Sequence, residues 1–214
     1  MDANYRWMKH IYDLPRPLFL LGRNRLLRRI AAENPQTVLE IGVGTGRNLR
    51  KLAKLLPATK LYGSDISPEM LTYANSSFRR AGAADRITTV EADGMPRVED
   101  LSHPKLFDVI FFSYSLSMIP NWQKALRDAA AHLSISGGTL MLVDFGLFSS
   151  WPKPIAAQFH RNLQRFHATA RADLKDFLHT DPMFQDWQIE SQSLGGDWAY
   201  MHVLKPPHAP KFQL

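Results

Sequence analysis

The sequence contains no cysteine, which excludes both a disulfide framework and a thiolate metal site. Long apolar runs are missing too. Stretches such as Val109-Ile110-Phe111-Phe112 fall far short of the roughly 20 residues needed to cross a bilayer. The first residues, Met1-Asp2-Ala3-Asn4, lack the apolar core of a signal peptide, so a cytoplasmic location is expected. Internal repeats and low-complexity tracts are absent, and only the tail from Pro206 reads as unstructured. Acidic residues are in deficit, 20 against 26 lysines and arginines, for a net charge of +6.

What is present is a chain of 214 residues, 45% hydrophobic, long enough to bury a sizeable core and short enough to read as one domain. The positive excess is uneven. Residues 1–30 hold seven basic residues (Arg6, Lys9, Arg16, Arg23, Arg25, Arg28, Arg29) against Asp2 and Asp13. Such a segment points to an anionic partner or to an ordinary solvated helix face.

Short runs rich in β-branched and aromatic residues alternate with stretches of helical spacing. Residues 37–41, 60–65, 87–92, 107–113 and 139–144 read as buried parallel strands. Residues 48–56, 68–81 and 122–133 read as helices, the second opening on Ser67-Pro68, a cap residue followed by proline at the first helical position. Residues 145–182 break this rhythm as a helical insertion. Two further strand-like runs, 187–193 and 198–204, flank Gly195-Gly196-Asp197 as a terminal antiparallel hairpin. The pattern predicts an α/β fold, a doubly wound, mostly parallel seven-stranded sheet. Its expected organisation is a basic, aromatic helical cap over 1–34, a core over 35–206 and a tail over 207–214.

The stretch Val38-Leu39-Glu40-Ile41-Gly42-Val43-Gly44-Thr45-Gly46-Arg47-Asn48 sits where the first strand ends, the place where such sheets bind ligands. It departs from the dinucleotide fingerprint, because Arg47 stands where the third glycine is required. Glu40 and Asp93 would also oppose a pyrophosphate. Carboxylates beside a bare backbone suit a cationic ligand instead, and S-adenosylmethionine carries a sulfonium and an ammonium.

Residues 36–144 resemble the class I S-adenosylmethionine-dependent methyltransferases, and so imply a Rossmann-like methyltransferase fold. The matching glycine-rich signature is Glu40-Ile41-Gly42-Val43-Gly44-Thr45-Gly46, with Asn48 following in the same stretch. The resemblance implies that Asp65 receives the ribose hydroxyls and that Ile66 and Met70 flank the adenine. It also implies that Asp93-Gly94 meets the adenine edge and that Ser113-Tyr114 lies beside the methionine portion. Asp65 and Asp93 as mere helix caps are the alternative.

Ser113-Tyr114-Ser115-Leu116 is not the Asn/Asp-Pro-Pro-aromatic motif of enzymes that methylate planar nitrogens, which turns the reading away from nucleobases. Tyr5-Arg6-Trp7, Ile11-Tyr12-Asp13, the segment from Phe19 to Arg25 and the run from Ser113 to Pro120 together resemble bacterial phospholipid N-methyltransferases. The nearest likeness is to the diacylglyceryl-homoserine enzymes that finish betaine lipids. This implies methylation of a lipid amino headgroup. The alternatives are a soluble methyltransferase for a small metabolite or quinone precursor, and a nucleic-acid modifier, against which the sequence has no RNA module. Tyr12 is expected to fold over the cofactor, while Tyr114 and Asp144 are candidates for the proton acceptor. His160 and His167 lie two helical turns apart without a carboxylate at suitable spacing, so no metal is expected.

A helix over 18–33 gathers Phe19, Leu20, Leu26, Leu27 and Ile30 on one side and Asn24, Arg25, Arg28 and Arg29 on the other. Arg23 falls on the apolar side, where it should meet the cofactor carboxylate, a lipid phosphate or a core acid. The arginine face is expected to attach reversibly to an anionic inner-membrane surface. Oligomeric state is not encoded in any pattern of the sequence.

Overall fold

The computed structural model describes residues 20–97, 106–134, 137–165 and 167–207. Tyr5, Trp7, Tyr12 and the rest of the chain before Leu20 lie outside them. Seven strands form one sheet: β1 (Thr37–Ile41), β2 (Lys60–Asp65), β3 (Ile87–Glu91), β4 (Val109–Ser113), β5 (Thr139–Phe145), β6 (Gln188–Leu194) and β7 (Ala199–Lys205). Their order is β3-β2-β1-β4-β5-β7-β6. The first five are mutually parallel, so Ile41, Asp65, Ser113 and Phe145 end at one edge. β7 runs antiparallel to β5 and to β6.

Among the described residues six helices accompany the sheet: α1 (Arg23–Ala32), α2 (Arg47–Leu55), α3 (Pro68–Arg80), α4 (Trp122–Ala131), α5 (Lys153–Arg165) and α6 (Leu174–Thr180). Alternate residues of each central strand feed opposite layers. Val38, Val109, Phe111, Met141 and Val143 pack with Leu26, Leu27, Leu49, Leu52 and Phe78 of α1, α2 and α3. Leu39, Ile110, Phe112, Leu140 and Leu142 pack with Trp122, Leu126 and Leu178 of α4 and α6. Burial on both faces is why these strands read as unbroken apolar runs rather than as alternating ones.

The predicted strands and helices stand within a few residues of the observed ones, with one informative difference. The helix expected over 18–33 is broken within the described residues: Leu20–Gly22 form a bend and turn, and a helix starts at Arg23. Gly22 adopts a left-handed conformation (φ 83°) as its N-cap, which interrupts the helical path. The insertion divides into α5 and α6, and α5 rests on an aromatic cluster of Phe148, Trp151, Phe159 and Trp198. Among the described residues no helix is long and apolar enough to cross a membrane.

Candidate active site

β1 delivers Glu40 to a buried position at the sheet's carboxyl edge. Its side chain is 1% exposed. One oxygen accepts from Asn48 Nδ2 of α2 at 2.7 Å; the other has no hydrogen-bond partner among the described residues. Burial pushes the carboxyl up to about 8, against the opposing pull of the Asn48 hydrogen bond and the Arg23 charge. A buried acceptor left empty is costly in a native fold, and a cationic group would satisfy it. Arg23 reaches this cluster from α1, donating to Asn48 Oδ1 at 3.1 Å. Asn48 bridges Arg23 to Glu40, so the three side chains form a relay between the guanidinium and a core acid.

The loop after β1 is glycine-rich for two different reasons. At Gly42 and Gly46 a Cβ would collide with Ser115 and Phe78. At Gly44 (φ 52°) it would meet nothing within 4 Å, so its bare backbone borders open space. The Gly44 N–H donates to Asp65 Oδ2 at 2.7 Å, and the Ser67 N–H to Asp65 Oδ1 at 3.0 Å. Burial raises the Asp65 carboxyl against these backbone hydrogen bonds. Beside Asp65, Ile66 is 63% exposed, an apolar side chain with no cover among the described residues. Ser67 Oγ caps α3 by accepting from the Met70 N–H, which sets Met70 one turn away. Asp93 and Gly94, just after β3, line a cavity of about 240 Å³ with Ile119, Pro120 and Asn121. Gly94 is tied back to β2 by the Ser64 hydroxyl. A bare loop, an exposed apolar residue and a carboxylate at adjacent strand ends match the shape and charge of an adenosine bearing a cationic tail.

The ends of β4 and β5 bear on the two residues expected as proton acceptors. Ser113 Oγ is buried without a partner among the described residues, but Tyr114 turns inward. Its backbone is left-handed (φ 59°), its ring packs edge-on against Phe145 at 4.7 Å, and its hydroxyl donates to the Leu21 carbonyl at 2.6 Å. Burial, reinforced by the Asp144 charge, raises the phenol further above its ordinary value. A phenol that keeps its proton and spends it on a carbonyl is a poor proton acceptor. Asp144 is likewise committed, accepting from the Ser117 and Phe145 backbone N–H groups at 2.9 and 2.8 Å, with its carboxyl pushed up by burial. It positions the 3-10 turn Leu116–Met118.

Arg171, which no sequence signal marked, clamps the same turn, donating to the carbonyls of Leu116, Ser117 and Ile119. His160 approaches the Leu147 carbonyl. No group of His, Asp or Glu able to hold a metal occurs among the described residues.

Residues 38–137 match the family described as methyltransferase domain. The demethylmenaquinone methyltransferase of Tropheryma whipplei is 33% identical over 157 residues, 73% of this chain and 58% of that protein. The ubiquinone/menaquinone biosynthesis C-methyltransferase UbiE of Escherichia coli is 30% identical over 141 residues, 63% of this chain and 54% of that protein. The chain thus spans little more than half the length of these relatives. An Aquifex aeolicus SAM-dependent methyltransferase superimposes with a TM-score of 0.64 at 17% identity, covering 94% of this chain and 97% of that one. A Burkholderia thailandensis O-methyltransferase family protein gives 0.69 at 14% identity, covering 92% and 57%. With this fold, this glycine loop and these relatives, residues 38–137 form a class I S-adenosylmethionine-dependent methyltransferase domain.

Proposed function

We propose that this chain transfers the methyl group of S-adenosylmethionine to a ring carbon of a small quinone precursor in its reduced, hydroquinone form. The observation that carries the reading is the extent of the similarity to quinone methyltransferases. It runs over 157 residues, beyond the 38–137 span of the domain itself, and so takes in chain outside the cofactor loop.

In this reading Glu40 holds the cofactor's ammonium, Asp65 receives the ribose hydroxyls, and Ile66 and Met70 cover the adenine, whose edge meets Asp93-Gly94. Arg23, through Asn48, keeps Glu40 in place. Bound there, S-adenosylmethionine supplies an electrophilic methyl on sulfur, whose S–C bonding pair stays on the departing neutral thioether. The hydroquinone's oxygen lone pair drives its ring carbon onto that methyl, and the displaced ring proton passes to water. The protein's part is to align the ring carbon with the sulfur–methyl bond.

The lipid-headgroup reading has less support. Of the arginine face, Arg29 pairs with Glu190 and Glu33, which leaves Arg25 and Arg28 as its exposed cations. The aromatic segment that prompted it lies outside the described residues. Incubation with methyl-labelled S-adenosylmethionine and, separately, 1,4-naphthohydroquinone, total lipid extract and a polar metabolite fraction tests both readings. Label in the hydroquinone is expected; label confined to an amino lipid headgroup would overturn the proposal and restore the membrane-surface enzyme.

A further inference from the structure

Three successive rows of residues on one face cross the sheet where β5, β7 and β6 run side by side. Near the start of β5 Leu140, Leu204 and Ile189 are in register and apolar, as a covered sheet face requires. Two residues further along β5, on the same face, the row is Leu142, His202 and Ser191; the next is Asp144, Tyr200 and Ser193. The face changes from apolar to polar as it nears the edge where β5 ends. These two rows line a cavity of about 350 Å³, closed from the other side by Arg171 and the start of α6. It is larger than the cavity beside Asp93. It begins at Asp144 and Phe145, one strand over from Ser113 and Tyr114.

His202 gives this cavity its chemistry. It is 3% exposed, and burial holds its ring down to about 4, so it is neutral at physiological pH. Nδ1 lies 2.8 Å from Ser191 Oγ. When the hydroxyl donates to Nδ1 the ring proton sits on Nε2, and Nε2 makes no hydrogen bond among the described residues. The cavity's charges balance, Arg171 and Lys175 against Asp144 and Asp176. A net anion such as a phosphate gains little there, whereas an uncharged ring bearing oxygen gains a donor and apolar walls.

We propose that this cavity is the acceptor site and that His202 Nε2–H donates to a ring oxygen of an uncharged bicyclic quinone or hydroquinone. The assignment rests on the quinone reading above and adds to it the place and the recognising group. The test is calorimetric titration of 1,4-naphthoquinone into the full chain saturated with S-adenosylhomocysteine; the chain has no cysteine for the probe to alkylate. Wild type is expected to bind, and His202→Phe to lose roughly tenfold or more in affinity. Ser193→Trp, placed on an exposed strand position, should block the cavity without disturbing the core. S-adenosylhomocysteine affinity should be unchanged in both variants. A wild type that does not bind the probe would overturn the quinone class and this site with it. Equal probe affinity in wild type and Ser193→Trp would overturn the cavity assignment alone and leave the reaction standing.

Discussion

Asp65 accepts the Gly44 N–H on one oxygen and the Ser67 N–H on the other, so it holds the glycine loop in the shape that the ribose hydroxyls would meet. Asp65→Ala is expected to weaken S-adenosylmethionine binding by about 2–4 kcal/mol through lost charge-assisted hydrogen bonds. Asp65→Asn keeps one acceptor oxygen and should lose less. Calorimetry on the two variants checks this, and unchanged affinity in Asp65→Ala would remove the residue from the site. Glu40 stands out in the sequence as a carboxylate set in an apolar strand before a bare glycine loop, and Asp65 is singled out by the resemblance of its strand end to the methyltransferase pattern. The role of Tyr114 was not legible there. Its position after β4 was foreseeable, but the carbonyl that takes its proton belongs to Leu21, far away in the chain. His202 escaped for a related reason: one histidine in a strand says nothing until register sets Ser191 beside it.

At the scale of the element, the glycine loop separates two roles that its sequence pattern merges. Gly44→Val should abolish cofactor binding, because the new side chain enters the space bordered by the loop, while the fold loses only about 1–2 kcal/mol to left-handed strain. Gly46→Ala should do the reverse, since its methyl meets Phe78 inside the core; its melting temperature should fall by several degrees while the folded fraction still binds. Thermal melts paired with titrations distinguish these outcomes. Both variants melting alike and binding alike would make the loop a mere connection. The strands were legible because burial on both faces leaves runs such as Val109–Ser113 unmistakably apolar. The start of α1 was not, because helical periodicity extends through Gly22 and only its left-handed backbone breaks it. α4 and α6 are joined by Arg127, which donates through Nε and Nη2 to Asp181 at 3.0 and 2.6 Å. This pairing between distant positions follows from no local pattern. Asp181→Ala should lower stability by about 1–3 kcal/mol, read by denaturant unfolding.

For the whole molecule, buried ionisable groups set a pH window. Glu40 is raised from 4.5 to about 8, so its contribution to stability is complete below 4.5 and is lost as pH climbs through about 8. His202 is lowered from 6.5 to about 4; its contribution is complete above 6.5 and is lost as pH falls through about 4. From 4.5 to 6.5 the Glu40 and His202 contributions oppose each other, while the raised Asp65 and Asp144 carboxyls act in the same direction as Glu40. The protein without ligand should therefore melt lower as pH rises, most steeply above 6.5 where His202 no longer offsets the carboxyls. Glu40→Gln should flatten the alkaline decline and abolish tight cofactor binding, which melts across this range with and without S-adenosylhomocysteine would reveal. A decline as steep in the variant as in wild type would acquit Glu40. The order β5-β7-β6 bears on how the molecule is made. Synthesis delivers β5 with one side unpaired, and its neighbour β7 leaves the ribosome only after α5, α6 and β6. Until then the growing chain presents a free strand edge rich in Leu140, Leu142 and Val143, a template for pairing with another nascent copy. The hairpin that supplies His202 is therefore also the segment that ends this exposure, and chains stalled before it should be the ones that chaperones retain.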